Sequence, residues 1–316
     1  MAPVSLKEKK VIEIKNLTKR YGKKVALNGI SLQIEKGMYG LLGKNGAGKT
    51  TLMKILTTLK KPSGGEVYIE GISIKQKKKI RKWIGYVPQE FSMYPNFTCY
   101  EMLDYLLLLE GVKDKWERDD RIYEALESVD LLEQVNFRVR ELSGGMKRRL
   151  GIAQAIMSDP KVLIVDEPTV GLDPESRVHF RNLLRTLAND RIVLLSTHIV
   201  ADIESTCDRI GILQSGNLIF DGDSNELLQL AKGHVWKVAF TKEQWEKEIA
   251  DNGKILQSVQ SIREQDGTIV IRMISQNQPW SHAEETEPML EDAYLYVSDQ
   301  NRTEEKSRRE GKACRP

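Results

Sequence analysis

The sequence predicts an α/β chain built on a largely parallel, two-sided sheet, with a smaller C-terminal unit after it. Three observations carry that prediction. Val162–Val165 and Ile192–Leu195 are apolar at every position, as strands covered on both faces are. Tyr39–Leu42 runs through a glycine-rich turn into Thr50–Leu59, where Leu52, Ile55 and Leu59 recur at helical spacing. Thr98 to about Ser158 is helical in pattern, with stripes at Leu103, Leu106 and Leu107 and at Ile122, Ala125 and Val129.

The remaining elements follow in chain order. Val11–Leu17 alternates like a half-buried strand, Ile30–Ile34 reads as a second, and Gly64–Gly65 turns the chain into a short strand at Val67–Ile69. Gly111 is placed to stop a helix. Ile210–Phe220 reads as a hairpin turning at Ser215-Gly216-Asn217, and Ser224 is placed to cap a short helix ending near Gly233. Beyond it, Val235–Phe240 reads as a strand and Lys242–Ala250 as a helix. Ile255–Glu264 and Thr268–Ile274 form a hairpin around Gln265-Asp266-Gly267, and Met289–Val297 is a last helix. Asp299–Pro316, charged and nearly without apolar groups, reads as a solvated, disordered tail.

Bulk properties narrow the function classes. The 316 residues are 40% hydrophobic and 29% charged with a net charge of +3, an ordinary globular composition too mildly basic to demand nucleic acid. Cys99, Cys207 and Cys314 are far apart and form no C-x-x-C pair, so neither a zinc site nor a disulfide framework is expected. No apolar run approaches the ~20 residues of a membrane span, and Met1–Lys10 has no apolar core of a signal peptide. The expectation is a cytoplasmic protein that does any membrane work through a partner. The basic run Lys75–Lys82 reads as a solvated face, with lipid head groups or nucleic acid as the lesser alternative.

Gly43-Lys44-Asn45-Gly46-Ala47-Gly48-Lys49-Thr50 fits the phosphate-loop pattern G-x-x-x-x-G-K-[ST]. Its glycines let backbone N–H groups turn inward around a triphosphate, and the following helix offers its positive end. Lys49 is then placed for the β- and γ-phosphates, Thr50 for a Mg²⁺ ion, and Thr51 completes the cradle. Val162–Val165 ends in Asp166-Glu167, at the carboxyl end of a strand, where open α/β sheets bind ligands. There Asp166 suits Mg²⁺ and Glu167 suits polarising a water.

Leu142-Ser143-Gly144-Gly145-Met146 goes beyond a generic phosphate loop and resembles the ABC ATPase signature. Ser143 is equally a good helix N-cap, and both readings hold together. Other positions resemble the family in the right order: Tyr21 before the phosphate loop, Gln89 after Gly85-Tyr86-Val87-Pro88, Gly171-Leu172-Asp173 and His198 after Ser196-Thr197. The resemblance covers roughly Val11 to Leu230. It implies an ABC ATPase fold over 11–232, with a mixed sheet core, an antiparallel β subdomain and a helical subdomain at about 97–158. A small α+β accessory domain at 233–298 and the tail at 299–316 would follow.

The resemblance also assigns roles. Tyr21 stacks on adenine, Gln89 senses Mg²⁺ and the attacking water, His198 contacts the γ-phosphate, and Asp173 lies across a dimer. Ser143, Gly144 and Gly145 close on ATP held by a second protomer, so ATP and Mg²⁺ are the implied cofactors. The implied partners are an integral membrane permease and a second ATPase subunit, identical or paralogous, on the cytoplasmic face of the membrane. No nucleic acid is expected. Gly40-Leu41-Leu42-Gly43 and Glu167-Pro168-Thr169-Val170-Gly171-Leu172-Asp173-Pro174 are most similar to bacterial exporters whose membrane subunit is a separate chain, including antibiotic-efflux systems. The alternative is a soluble ABC ATPase acting on a nucleoprotein or ribosomal partner. The short stretch between Lys49 and Ser143 leaves no room for the coiled coil of DNA-repair members, and the chain holds one cassette, not two. Cargo contacts would lie on the membrane subunit, so the cargo is not legible here.

Overall fold

In a computed structural model the described residues are 11–90, 92–251, 259–265 and 267–313. They divide into two compact units, one up to Asp221 and one from Gly222 onward.

The first unit opens with β1 (Val11–Tyr21) and β2 (Lys24–Glu35), an antiparallel pair. Then come β3 (Gly37–Leu42), α1 (Lys49–Leu56), β4 (Gly64–Ile69), β5 (Ile72–Ser73), α2 (Lys77–Arg81) and β6 (Ile84–Val87). Three helices follow: α3 (Cys99–Glu110), α4 (Lys115–Ser128) and α5 (Gly144–Ile156). The unit is completed by β7 (Val162–Asp166), α6 (Pro174–Leu187), β8 (Ile192–Thr197), α7 (Val200–Glu204), β9 (Arg209–Gln214) and β10 (Asn217–Gly222). Among the described residues one sheet runs β2-β1-β4-β5 and another β10-β9-β3-β8-β7-β6. In the second sheet β9, β3, β8, β7 and β6 pair in parallel.

Alternation along β7 and β8 explains why that sheet is covered twice. Val162, Ile164, Ile192 and Leu194 pack with Leu52 and Ile55 of α1 and with Ile12 and Ile14 of β1. Leu163, Val165, Val193 and Leu195 point the other way, onto Leu150 and Ile152 of α5 and Phe180 and Leu184 of α6. Successive strand side chains face opposite sides, so a fully apolar run serves two cores at once. Gly85 lets β6 approach α5 closely: a Cβ there would lie 2.2 Å from the Ala155 carbonyl.

The second unit holds α8 (Ser224–Ala231), β11 (Val235–Thr241), α9 (Lys242–Asp251), β12 (Val259–Gln265), β13 (Thr268–Ile274), β14 (Glu284–Glu285) and α10 (Leu290–Ala313). Its antiparallel sheet runs β12-β13-β11-β14 and buries Val238, Phe240, Trp245 and Ile271. Arg272 on β13 reaches Asp292 on α10 at 2.6 Å.

Several expectations are corrected. The expected domain boundary near 232 stays a proposal; by contacts the second compact unit opens at Gly222, and α8 packs with α10. The cap of α8 is Asp223, whose carboxylate accepts from Glu226 N, and Ser224 is the first helical residue. Helix α1 ends at Leu56, and Thr58 takes a left-handed φ of 61°. Asp299 onward is helical through Ala313 rather than a tail. Its Glu, Lys and Arg residues are good helix formers, and Arg302 lies 3.4 Å from Asp299 one turn away. Strand β6 was not foreseen, being only four residues long. Residues 255–258 of the expected strand, Asp266 and Cys314 lie outside the described residues. Among those described, Cys99 and Cys207 are free, and no helix is long and apolar enough to cross a membrane.

Candidate functional site

Parallel pairing puts the carboxyl ends of β3, β8, β7 and β6 side by side. The phosphate loop leaves β3, His198 leaves β8, Asp166 and Glu167 end β7, and Gln89 follows β6. A cleft of about 350 Å³ is lined by Tyr21, Lys44 to Thr51, Gln89 and Glu167, with Lys24 and Ala26 added from β2.

The loop is shaped by its glycines. Gly46 and Gly48 have φ of 82° and 116°, and a Cβ on Gly43 would lie 2.4 Å from the Leu213 carbonyl. Outside the cradle, Gly43 N donates to the Thr197 carbonyl (3.3 Å) and Gly216 N to the Ala47 carbonyl (2.9 Å). The β9–β10 turn at Ser215-Gly216 therefore braces the loop from behind. Gly48 precedes the first turn of α1, which leaves that helix's free N–H groups directed at the loop.

Lys49 is 4% exposed. Its Nζ donates to the Gly43 carbonyl at 2.5 Å and lies 3.1 Å from Glu167 Oε1. The other carboxylate oxygen of Glu167 lies 2.7 Å from His198 Nδ1. One buried carboxylate thus joins the phosphate-loop lysine to the histidine. Glu167 has a left-handed φ of 49°, unfavourable for a residue with a side chain. Its backbone N–H is held by Ser196 O (3.0 Å) and Ser196 Oγ (3.2 Å). The Ser196 hydroxyl donates in turn to Asp166 Oδ1. Asp166 is 1% exposed and its Oδ2 has no hydrogen-bond partner. A buried, unpartnered carboxylate oxygen is a hard donor of the kind that suits Mg²⁺, as is a hydroxyl such as that of Thr50, which lines the cleft. Burial first, and then the Asp166 charge, push the Tyr86 phenol up to about 12.

Tyr21 is exposed at the cleft mouth, with Lys19 Nζ 5.0 Å from its ring centre. Gln89 lines this cleft and a second one with Met93, Lys147 and Arg148, and its carbonyl accepts from Arg148 Nη1 at 2.7 Å. The signature residues lie elsewhere. Ser143 caps α5 through Met146 N (3.2 Å), and Ser143 and Gly145 line a separate cleft with Leu172, Glu175 and Ser176. Space beyond Gly144 is open, and a Cβ on Gly145 would lie 3.2 Å from Ser176 Oγ. Asp173 caps α6, and the hydroxyl and N–H of Ser176 hold its carboxyl below the usual carboxylate range. Within one chain, then, Ser143–Gly145 and Asp173 are not brought to the phosphate loop.

A family model described as ABC transporter matches residues 27–170. The linearmycin resistance ATP-binding protein LnrL of Bacillus subtilis strain 168 is 39% identical over 220 residues, which span 69% of this chain and 70% of that protein. The chain belongs to the ABC transporter family. As an ABC cassette it binds ATP and serves as the ATP-binding subunit of a transporter. The Nod factor export ATP-binding protein I of Burkholderia orbicola is 38% identical over 69% of this chain and 72% of that protein. Among solved structures, the dimeric post-hydrolysis state of the ATP-binding cassette MJ0796 bound to ADP and Pi has a TM-score of 0.60 at 30% identity. It covers 67% of this chain and 98% of that one.

Sequence reasoning about this ABC cassette passed over Ser196, Thr169, Asp202 and Arg148. Ser196 and Thr169 stand inside motifs already singled out. Asp202 and Arg148 carried no signal, because only the fold brings them to those motifs.

Proposed function

We propose that this cassette hydrolyses Mg-ATP in a head-to-tail dimer and drives export through a separate membrane subunit, working at the cytoplasmic face. The observation that supports this best is the chain Lys49–Glu167–His198, at 3.1 and 2.7 Å, lying across the parallel strand ends. In this reading Lys49 and the N–H groups of residues 44–51 bind the β- and γ-phosphates, and Tyr21 stacks on adenine. Glu167 orients the attacking water and accepts its proton as the bond from γ-phosphorus to the bridging oxygen breaks. His198, anchored to Glu167 through Nδ1, contacts the γ-phosphate. Gln89 reports on the water and passes the change to the neighbouring cleft, where a membrane subunit's cytosolic helices dock.

Thr50, Asp166 and Gln89 would hold Mg²⁺, which would supply charge neutralisation for the phosphates. Two features support the dimer: Ser143–Gly145 and Asp173 lie apart from the phosphate loop of their own chain, and the MJ0796 cassette is dimeric. Resistance and export relatives support the outward direction.

The test is a pull-down. Tagged Glu167→Gln protein is extracted from native membranes in mild detergent with Mg-ATP. A co-purifying polytopic membrane protein is the expected result, and its reconstitution in vesicles then reads direction. Ribosomes or DNA as the captured partner would overturn the reading.

A further inference from the structure

We infer that Asp202 is a positioning residue for hydrolysis, clasping the segment that carries Glu167 to the segment that carries His198. The inference rests on the roles proposed for those two residues. Asp202 sits on α7 and is 1% exposed, and a carboxylate that deep requires donors. Its Oδ2 accepts from Thr169 Oγ1 at 2.5 Å and from Thr197 Oγ1 at 3.3 Å. Thr169 stands two residues after Glu167, and Thr197 immediately precedes His198. Both threonines are 1% exposed, and neither lines the nucleotide cleft, so their hydroxyls serve the protein rather than a ligand.

The contacts form a closed circuit. From Glu167 the chain runs through Pro168 to Thr169, across Asp202 to Thr197, on to His198, and back to Glu167 through the 2.7 Å contact. Thr197 Oγ1 also accepts from Ile199 N at 3.0 Å, which fixes the residue after His198. Asp202 is itself anchored: its N–H donates to Ile199 O (3.2 Å) and its carbonyl accepts from the Thr206 hydroxyl. The covalent path from Glu167 to His198 spans the whole of α6 and β8. The β7–β8 ladder ends at Asp166 and Ser196; beyond it, among the described residues, the two segments are joined by the Ser196 contacts, the Asp202 clasp and the Glu167–His198 pair. Replacing a buried charged group by a well-packed apolar side chain of similar volume is often neutral or stabilising, so stability alone does not account for Asp202.

The test compares Asp202→Asn, Thr169→Val, their double variant and Thr169→Ser in the full chain, with Glu167→Gln alongside. Mg-ATP turnover is counted per folded molecule, as measured by thermal unfolding. Asp202→Asn and Thr169→Val should each lose about tenfold or more in kcat, the rate equivalent of a hydrogen bond to a charged group. Their half-saturating ATP should stay within about twofold of wild type, since the lost contacts orient and do not bind. The double variant should be no slower than the slower single one, as members of one circuit are not additive. Thr169→Ser keeps the hydroxyl and should retain wild-type turnover. Wild-type kcat in Asp202→Asn and Thr169→Val would overturn the inference, as would losses that multiply in the double variant or a Thr169→Ser loss equal to that of Thr169→Val. If Glu167→Gln is inactive while the Asp202 variants turn over normally, only the clasp fails. If Glu167→Gln turns over normally, the catalytic reading beneath it fails as well.

Discussion

Three constraints meet on Glu167, the residue proposed to act on the attacking water: a left-handed backbone, a lysine on one oxygen and a histidine on the other. Glu167→Gln keeps the shape but gives up the proton acceptor. Its turnover should fall about 100-fold or more while ATP affinity stays near wild type, read by phosphate release and nucleotide titration. Lys49→Ala removes the buried ammonium and should weaken ATP binding by at least ~10-fold, visible in the same titration. Chelation of Mg²⁺ should abolish phosphate release and be reversed by adding the ion back, given the buried, unpartnered Asp166 oxygen. Cys99 lies outside the site, buried in the helical core. Burial pushes its thiol up to about 11, above the ordinary value, so the thiol form is favoured in the folded state. That contribution to stability is fully present below the unfolded-state pKa and fades as pH rises through the folded one. Iodoacetamide at pH 8 should therefore spare Cys99 in the native protein and label it in urea, as peptide mapping would show.

At the scale of elements, the strands deliver residues and the helices press on them. Gly85 sits where β6 meets α5, and Gly85→Ala would drive a methyl against the Ala155 carbonyl. It should cost about 2 kcal/mol in urea unfolding and, through β6, disturb Gln89. In the second unit, Asp292→Ala would strip a largely buried Arg272 of its partner and should cost about 3 kcal/mol, seen as an earlier transition for that unit. The basic helix α2 keeps to the bland expectation of an exposed face. Ile80 is its buried anchor, Arg81 donates to Thr58, and Lys75, Lys77, Lys78, Lys79 and Lys82 are exposed.

At the scale of the molecule, the phosphate loop and Ser143–Gly145, proposed as the two halves of a dimeric site, line different clefts of one chain. Light scattering of Glu167→Gln should show a monomer without nucleotide and a dimer with Mg-ATP. A monomer under both conditions would count against the head-to-tail arrangement.

Much of this was legible in the residue order because the chemistry is local. A phosphate loop needs its glycines, lysine and threonine within one turn. A two-faced strand must be apolar throughout, and Ser143 caps a helix wherever that helix lies. These features come from short-range sterics and hydrogen bonding, which the sequence states directly. The tertiary structure alone decided what meets across the sheet. It set the strand order that seats β8 between β3 and β7, the buried contacts of Glu167 with Lys49 and His198, and the service of Asp202 to both Thr169 and Thr197. Those pairings depend on packing between residues far apart in the chain. No local pattern encodes which strand will lie beside which, because many pairings satisfy the same alternation and only the joint burial of both faces selects one.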